Sequence, residues 1–267
     1  MKSIKDLMDL SGRRVLITGA TGGLGKYISK TIAELGGSLI LVDKPGSNYS
    51  SVLKELNRYE LIDISIIDCD LESEDQRKNL ILDVNKNYPD NLDVLINNAA
   101  FAGTTKLKGW VTKFEDQSVK TWRRAIEVNL TAAFDLSQGL SPILGRNGSG
   151  SIINIASIYG FAGPVMSMYE GTDMGNPAAY AASKGGLIQL SRWLATNIAP
   201  NVRVNTVSPG GIWRNQPTEF VKKYESKTPL GRMASEEDFK GIIAYLSTDL
   251  SLYMTGQNII VDGGWTL

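Results

Sequence analysis

Short apolar runs alternate with longer helical patterns along the whole chain, and this alternation limits the possible folds more than any other feature. Seven runs are predicted to be strands, at 14–18, 38–42, 62–68, 92–96, 151–156, 202–207 and 258–261. The longer patterns between them predict helices at 24–35, 73–88, 118–144, 177–198 and 235–247. The centres of the runs are continuously apolar, which is typical of parallel strands covered by helices on both faces. The sequence therefore predicts an α/β fold with a doubly wound parallel sheet of about seven strands.

Composition limits the partners that this chain can have. The 267 residues contain no repeat, low-complexity tract or linker, so a single domain spanning 1–267 is predicted. Lysine plus arginine and aspartate plus glutamate each total 28, so the chain lacks the basic surface that would favour nucleic acid or an anionic membrane. We find neither a signal peptide nor a membrane-spanning run, and the single cysteine, Cys69, fits a reducing compartment. A cytoplasmic protein without a metal site is therefore expected.

A glycine-rich turn follows the first predicted strand and opens the first predicted helix. Glycines at this point allow a nucleotide's phosphates to approach the backbone and the helix N-terminus, as in Rossmann-type sheets. The predicted contacts in this turn are Gly19, Thr21, Gly22, Gly23, Leu24 and Gly25. Asp43 ends the second predicted strand, where a carboxylate accepts hydrogen bonds from the adenosine ribose and repels a 2′-phosphate. We therefore predict NAD as cofactor in preference to NADP, although Lys44 beside Asp43 could partly tolerate a phosphate.

Tyr180 and Lys184 lie four residues apart on a predicted helix, so their side chains share one face. A neighbouring ammonium stabilises a phenolate, and it can lower a tyrosine pKa towards the range of a working acid or base. The chain contains no histidine, so proton transfer must depend on tyrosine, lysine or a carboxylate. The pair alone is common on solvated helices, and its significance depends on the motifs around it.

In order along the chain, these motifs resemble the compact branch of the short-chain dehydrogenase/reductase family. The resemblance runs from about residue 10 to residue 267 and also includes Asn129, Ser157, the Pro209-Gly210-Gly211-Ile212 turn and the C-terminal Asp262-Gly263-Gly264. It implies that Tyr180 exchanges a proton with the substrate oxygen, while Ser157 polarises that oxygen. Lys184 would lower the Tyr180 pKa and hold the nicotinamide ribose, and Asn129 would anchor a water. Further implied cofactor contacts are Asp70, Leu71, Asn98, Ala99, Ala100, Pro209, Gly210 and Ile212.

The chain departs from the family pattern mainly around the predicted substrate site. Twenty-two residues separate Ser157 from Tyr180, more than is usual, and the insert at 158–179 is predicted to form an active-site wall. The segment 209–229, rich in polar residues, is predicted to be a mobile lid. Arg214 stands where a cofactor-contacting threonine is frequent. The predicted substrate contacts are Ser157, Tyr169, Glu170, Asp173, Tyr180, Trp213 and Arg214.

These features favour an NAD-dependent oxidoreductase that interconverts a secondary alcohol and a ketone on a polar, carbohydrate-derived small molecule. The insert also resembles bacterial family members linked to surface-sugar or flagellin-glycan synthesis. The glycine turn can also be aligned as Gly19-x-x-Gly22-x-x-Gly25, which leaves open a nucleotide-sugar epimerase or dehydratase that keeps its NAD. A third alternative is a sensor or scaffold that binds NAD without turnover.

The two longest predicted helices provide a surface for self-association. Residues 177–198 carry many small side chains, which permit close helix packing, and the family resemblance implies a homodimer or homotetramer. The matching apolar positions of the 118–144 helix are Val119, Trp122, Ile126, Leu130, Ala133 and Leu136.

Overall fold

In the computed structural model, which describes residues 1–102 and 105–267, seven parallel strands form one sheet in the order β3-β2-β1-β4-β5-β6-β7. The strands are β1 (Arg14–Thr18), β2 (Ser38–Asp43), β3 (Ile64–Asp68), β4 (Val94–Asn97), β5 (Gly150–Ile155), β6 (Val202–Pro209) and β7 (Asn258–Val261). The order reverses direction between β1 and β4, and doubly wound sheets bind ligands at such a switch point. The predicted fold class is confirmed.

The interior strands are buried on both faces, as their continuous apolar sequences predict. β1, β4, β5 and β6 are buried along their whole lengths, whereas the edge strand β3 is only half-buried. One hydrophobic core fills one side of the sheet, around Leu39 and Ile243. A second core fills the other side, around Leu136 and Val204, and includes Cys69. The buried thiol of Cys69 has its pKa raised to about 11 because burial disfavours the thiolate.

The described residues contain nine α-helices. They are α1 (Ile4–Met8), α2 (Gly23–Glu34), α3 (Ser50–Leu56), α4 (Glu74–Asn87), α5 (Val119–Ile126), α6 (Ala132–Leu144), α7 (Ala178–Asn197), α8 (Thr218–Lys227) and α9 (Lys240–Ser247). The sequence pattern did not predict α1, α3 or α8, which have ten residues or fewer and too few turns for a clear period. None of the helices among the described residues is both long and apolar enough to cross a membrane.

The helix predicted at 118–144 is interrupted in the structure. A π-helical segment, Glu127–Thr131, separates α5 from α6. Single turns of this kind often occur at functional sites, because the extra residue redirects side chains. Here the redirected side chain is Asn129, one of the predicted site residues, which is 2 % exposed.

Candidate active site

A cleft of about 770 Å³ opens at the carboxyl ends of the central strands. The glycine turn and the residues that end β2 and β4 line one end of it, which we call the nucleotide end. The insert 158–179 and the predicted lid 209–229 line the other end, which we call the substrate end. Ser157, Tyr180 and Lys184 lie at the junction. The predicted cofactor residues that line the cleft are Gly19, Thr21, Gly22, Gly23, Leu24, Gly25, Asp43, Lys44, Asp70, Leu71, Asn98, Ala99, Ala100, Pro209, Gly210 and Ile212.

Close packing holds the glycine turn. Gly19 has a φ of +65°, and a Cβ on it would lie 2.9 Å from the Cα of Ala99. A Cβ on Gly25 would lie 2.1 Å from the carbonyl oxygen of Gly19, so this position excludes any side chain. The side-chain amide of Asn98 donates hydrogen bonds to the carbonyls of Thr18 (2.9 Å) and Gly19 (3.1 Å). The turn is thereby fixed in a shape that leaves its outer face free for a ligand.

Asp43 connects the end of β2 to the glycine turn. Its Oδ2 accepts hydrogen bonds from the backbone N–H (2.9 Å) and the hydroxyl (2.7 Å) of Thr21. Its Oδ1 accepts hydrogen bonds from the Lys44 backbone N–H (2.8 Å) and the Ser47 hydroxyl (3.1 Å). Each carboxylate oxygen already accepts two hydrogen bonds, so a ligand hydroxyl that binds Asp43 would take the place of one of these donors, such as the Ser47 hydroxyl.

Ser157, Tyr180 and Lys184 meet where β5 ends against α7. Ser157 is 6 % exposed, and its hydroxyl accepts a hydrogen bond from the Tyr159 backbone N–H at 3.2 Å. Tyr180 and Lys184 lie one turn apart on α7, with the Lys184 Nζ 5.9 Å from the centre of the Tyr180 ring. Lys184 is buried, and its Nζ donates a 2.6 Å hydrogen bond to the Ile155 carbonyl.

The electrostatics of this pair differ from the expectation that Lys184 lowers the Tyr180 pKa. Burial raises the pKa of Tyr180, while the neighbouring Ser157 side chain and the positive charge of Arg214 act in the opposite direction with smaller effect. Burial also lowers the pKa of Lys184 to about 7, so its amine is only partly charged at neutral pH. Burial of the phenol is the largest cause of the raised Tyr180 pKa, and a partly charged amine opposes it less than a full ammonium would.

Asn129 does not line the large cleft. Its side chain bonds instead to residues that neighbour the catalytic ones. Its Oδ1 accepts a hydrogen bond from the Phe101 backbone N–H at 2.7 Å. Its Nδ2 donates to the Phe101 carbonyl (3.1 Å) and to the hydroxyl of Ser183 (3.0 Å), which lies between Tyr180 and Lys184 in sequence. The side-chain amide thus joins the π-helical segment, the loop after β4 and α7.

Aromatic side chains dominate the substrate end. The hydroxyl of Tyr169 donates a 2.9 Å hydrogen bond to the hydroxyl of Tyr159, and the Tyr169 ring lies 5.5 Å from that of Phe220. Glu170 and Asp173, which were predicted to meet the substrate, are exposed and do not line the cleft, and Trp213 is 53 % exposed outside it. The turn Met166–Tyr169 directs Tyr169 inward, and the next polar residues consequently face solvent.

Several residues that line this end were not among the predicted contacts, including Tyr159, Asn176 and the four described next. Phe220 and Tyr224 lie on one face of α8, and the Tyr224 hydroxyl accepts a hydrogen bond from the Gly211 backbone N–H. The i, i+4 spacing of these two aromatic residues was the available signal. Met174 and Met233 also line the cleft, and no sequence motif marks them.

Arg214 extends from the predicted lid across the cleft to the nucleotide end. Its Nε pairs with the Glu236 carboxylate at 3.0 Å. A Cβ on Gly23 would lie 2.8 Å from the Arg214 Nη2 and 2.9 Å from the Glu236 Oε1. The ion pair therefore lies directly over the first residue of α2.

Comparisons with known proteins agree with this geometry. A family model described as Enoyl-(Acyl carrier protein) reductase matches residues 19–266. A tropinone reductase homolog of Arabidopsis thaliana is 32% identical over 265 residues, with 97% of this chain and 94% of that protein covered. A 3-oxoacyl-[acyl-carrier-protein] reductase of Aquifex aeolicus is 31% identical over 260 residues, with 96% of this chain and 98% of that protein covered.

Solved structures share the whole fold. A short-chain dehydrogenase of Leptospira borgpetersenii with bound NAD+ is 33% identical and has a TM-score of 0.83. The match covers 100% of this chain and 97% of that protein chain. An NADPH-dependent 3-quinuclidinone reductase of Rhodotorula rubra is 26% identical and has a TM-score of 0.86. The match covers 99% of this chain and 95% of that protein chain. Structures of this type therefore include binders of NAD and users of NADPH.

Proposed function

This chain belongs to the short-chain dehydrogenase/reductase family and is an NAD(P)-dependent oxidoreductase, and from that premise we propose that Tyr180 exchanges the proton in the interconversion of a secondary alcohol and a ketone. One observation carries this proposal. Ser157, Tyr180 and Lys184 converge at the junction of the cleft, between the glycine turn and the aromatic substrate end, and Ser157 is close enough to Tyr180 to act on its pKa. Two hydroxyl groups there can hold one substrate oxygen.

The proposed catalytic steps assign one task to each residue. During reduction, Tyr180 donates its proton to the substrate oxygen, and Ser157 donates a hydrogen bond that polarises the same oxygen. Lys184 holds the nicotinamide ribose, and Asn129 positions α7 through Ser183. The nicotinamide, when bound, supplies or accepts the hydride. The raised pKa of Tyr180 keeps its proton in place at neutral pH, which suits a proton donor.

NAD is the proposed cofactor, in preference to NADP. The glycine turn fits a dinucleotide, because packing of Gly19 and Gly25 against the chain's own backbone holds the turn in shape, and the N-terminus of α2 has no side-chain cap and no acidic residue in its first turn. Asp43 supports the preference, since its fixed carboxylate would repel a 2′-phosphate. The Asp43→Asn substitution removes the negative charge, while the amide oxygen can still accept the hydrogen bonds from Thr21. The ratio of the Kd for NADP to the Kd for NAD should therefore fall about 10-fold, and an unchanged ratio would contradict the preference.

For the substrate we propose a neutral or anionic, carbohydrate-derived ketone or alcohol. At the substrate end, Tyr159, Tyr169 and Asn176 supply polar groups beside aromatic rings, on which the apolar face of a sugar-like ring can stack. Among the described residues that line the cleft, the only carboxylates are Asp43 and Asp70, both at the nucleotide end. A cationic substrate would therefore lack a partner.

We also propose a homodimer or homotetramer assembled through α5, α6 and α7. Val119, Trp122 and Phe134 are exposed on α5 and α6, and Trp193 is exposed on α7. Ala133 and Leu136, expected at this interface from the sequence, are buried within the chain's own core because α6 turns them towards the sheet. A monomer found by light scattering at micromolar concentration would contradict this assembly.

The reaction is tested by Tyr180→Phe, which keeps the ring and removes the proton. We expect kcat to fall by about 10²–10⁴-fold while the Kd of NADH stays unchanged. The substrates are xylitol, gluconate, tropinone, 3-quinuclidinone and a 3-oxoacyl thioester, each with both cofactors. Tyr253→Phe is the matched control, because Tyr253 is fully exposed. Near-normal turnover by Tyr180→Phe would show that the proposed proton donor is wrong.

A further inference from the structure

Residues 212–214 and 234–236 form a short parallel pair that crosses the nucleotide end. Ile212 bridges Ala234, and the Trp213 backbone N–H donates to the Ala234 carbonyl at 2.8 Å. Two residues beyond the bridge on each segment lie Arg214 and Glu236, so the bridge places the two charged residues near each other, and their side chains pair at 3.0 Å.

The pair covers the N-terminus of α2, which otherwise lacks an anionic partner in its own sequence. The N-cap, Gly22, makes no side-chain hydrogen bond, and the first turn of α2 has no acidic residue. The free N–H groups and the helix dipole at this point favour a negative charge. The Glu236 carboxylate, whose side chain is 16% exposed, supplies one, since its Oε1 lies 2.9 Å from where a Cβ of Gly23 would be.

We infer that Arg214 binds the diphosphate of the dinucleotide, and that Glu236 is an internal anion that competes for Arg214. This inference rests on the proposed function, because it assigns a second residue to the same cofactor site. It also changes the prediction for Arg214, which the sequence assigned to the substrate. Nucleotide binding exchanges one partner of Arg214 for another, so the guanidinium remains paired before and after.

The two partners of this ion pair should have opposite effects on binding. Removing the charge of Arg214 deletes charge-assisted hydrogen bonds to the diphosphate, which should weaken binding by roughly 10-fold. Removing the charge of Glu236 deletes the competitor, which should tighten binding by roughly 2- to 5-fold. A purely structural ion pair would instead weaken binding by a similar factor whichever partner is changed.

The experiment measures the Kd of NADH by fluorescence and of ADP-ribose by calorimetry for Arg214→Gln, Arg214→Lys and Glu236→Gln. ADP-ribose contains the diphosphate but no nicotinamide, so its Kd reports on this contact without turnover. We expect Arg214→Gln to weaken both ligands, Arg214→Lys to lie between it and the wild type, and Glu236→Gln to tighten both. Circular dichroism of each variant establishes that it is folded.

Arg232→Gln is the matched control. Arg232 pairs with Asp238 at 2.7 Å in the same segment, but neither residue lines the cleft, so both Kd values should stay unchanged. The inference is overturned if Arg214→Gln leaves both Kd values unchanged, or if Glu236→Gln weakens binding in parallel with it. A wild-type protein that binds no NADH would overturn the proposed function instead. If the wild type binds NADH and oxidises it with a substrate, the proposed function stands, and the variants then test the role of Arg214 alone.

Discussion

The two ends of the cleft are held together by different kinds of contact. At the nucleotide end, short polar contacts fix the backbone, such as those from Asp43 to Thr21 and from Asn98 to the glycine turn. At the substrate end, rings pack against rings, with Tyr159 5.9 Å from Trp265 and Phe220 6.1 Å from Tyr224. The first end is a backbone cradle, and the second is a pocket shaped by side chains.

Because of this difference, the two ends should respond differently to amino-acid substitutions. A backbone cradle depends on the position of main-chain atoms, so even one added methyl group disturbs it. An aromatic pocket on an insert can exchange side chains while the sheet beneath it stays intact. We therefore expect mutations at the nucleotide end to affect both stability and cofactor binding, and removal of a single hydroxyl at the substrate end to affect mainly substrate binding.

The largest effect that would test this contrast is expected from Gly25→Ala. The new Cβ would meet the Gly19 carbonyl oxygen at 2.1 Å, so the turn must move. We expect a loss of about 3 kcal/mol in the free energy of unfolding, measured in urea, together with weaker NADH binding. The control is Gly241→Ala in α9, where the space is open and the helix should gain roughly 0.5–1 kcal/mol. Equal effects of the two substitutions would break the comparison.

The next effect concerns Lys184, where the two ends meet. Its pKa is about 7 in the folded protein and near 10.5 when unfolded, so the unfolded state binds more protons between these values. Stability must therefore rise with pH across this window. Relative to Lys184→Met, the free energy of unfolding of the wild type should increase by about 3 kcal/mol from pH 6 to pH 9. Parallel stability curves for the two proteins would mean that the amine stays charged when buried.

The smallest effects are expected in the insert, where neighbouring residues should differ. Tyr169→Phe removes a hydroxyl from the cleft and should raise KM by roughly 5- to 10-fold with the true substrate, without changing the Kd of NADH. Glu170→Gln and Asp173→Asn should leave KM unchanged, because both side chains are exposed outside the cleft. Should the acidic variants raise KM and Tyr169→Phe leave it alone, the pocket at the substrate end would be wrongly assigned.

The residues that line the nucleotide end could be named from the sequence because their arrangement is local. A glycine turn follows one strand and an acid ends the next, and adjacent parallel strands bring such ends together. The sequence predicted the substrate end poorly because neighbours there are distant along the chain. The inward turn of Tyr169 depends on its packing against Phe220, 51 positions later, and the pairing of Arg214 with Glu236 depends on the register of Ile212 and Ala234. The side-chain bonds of Asn129 likewise follow from a π-helical turn without a sequence signal.

Transfer of deuterium from the cofactor tests the central claim most directly. NADH carrying deuterium at the transferred position of the nicotinamide is incubated with wild-type protein and each of the carbonyl substrates, together with xylulose and 5-ketogluconate, the ketone forms of xylitol and gluconate, and the products are analysed by mass spectrometry and NMR. We predict that one deuterium appears on the new carbinol carbon of a product, with one NADH consumed for each product formed, and that Tyr180→Phe fails to form it. Isomerised substrate without net consumption of NADH, or tight NADH binding with the deuterium retained on the nicotinamide for every substrate, would contradict the claim.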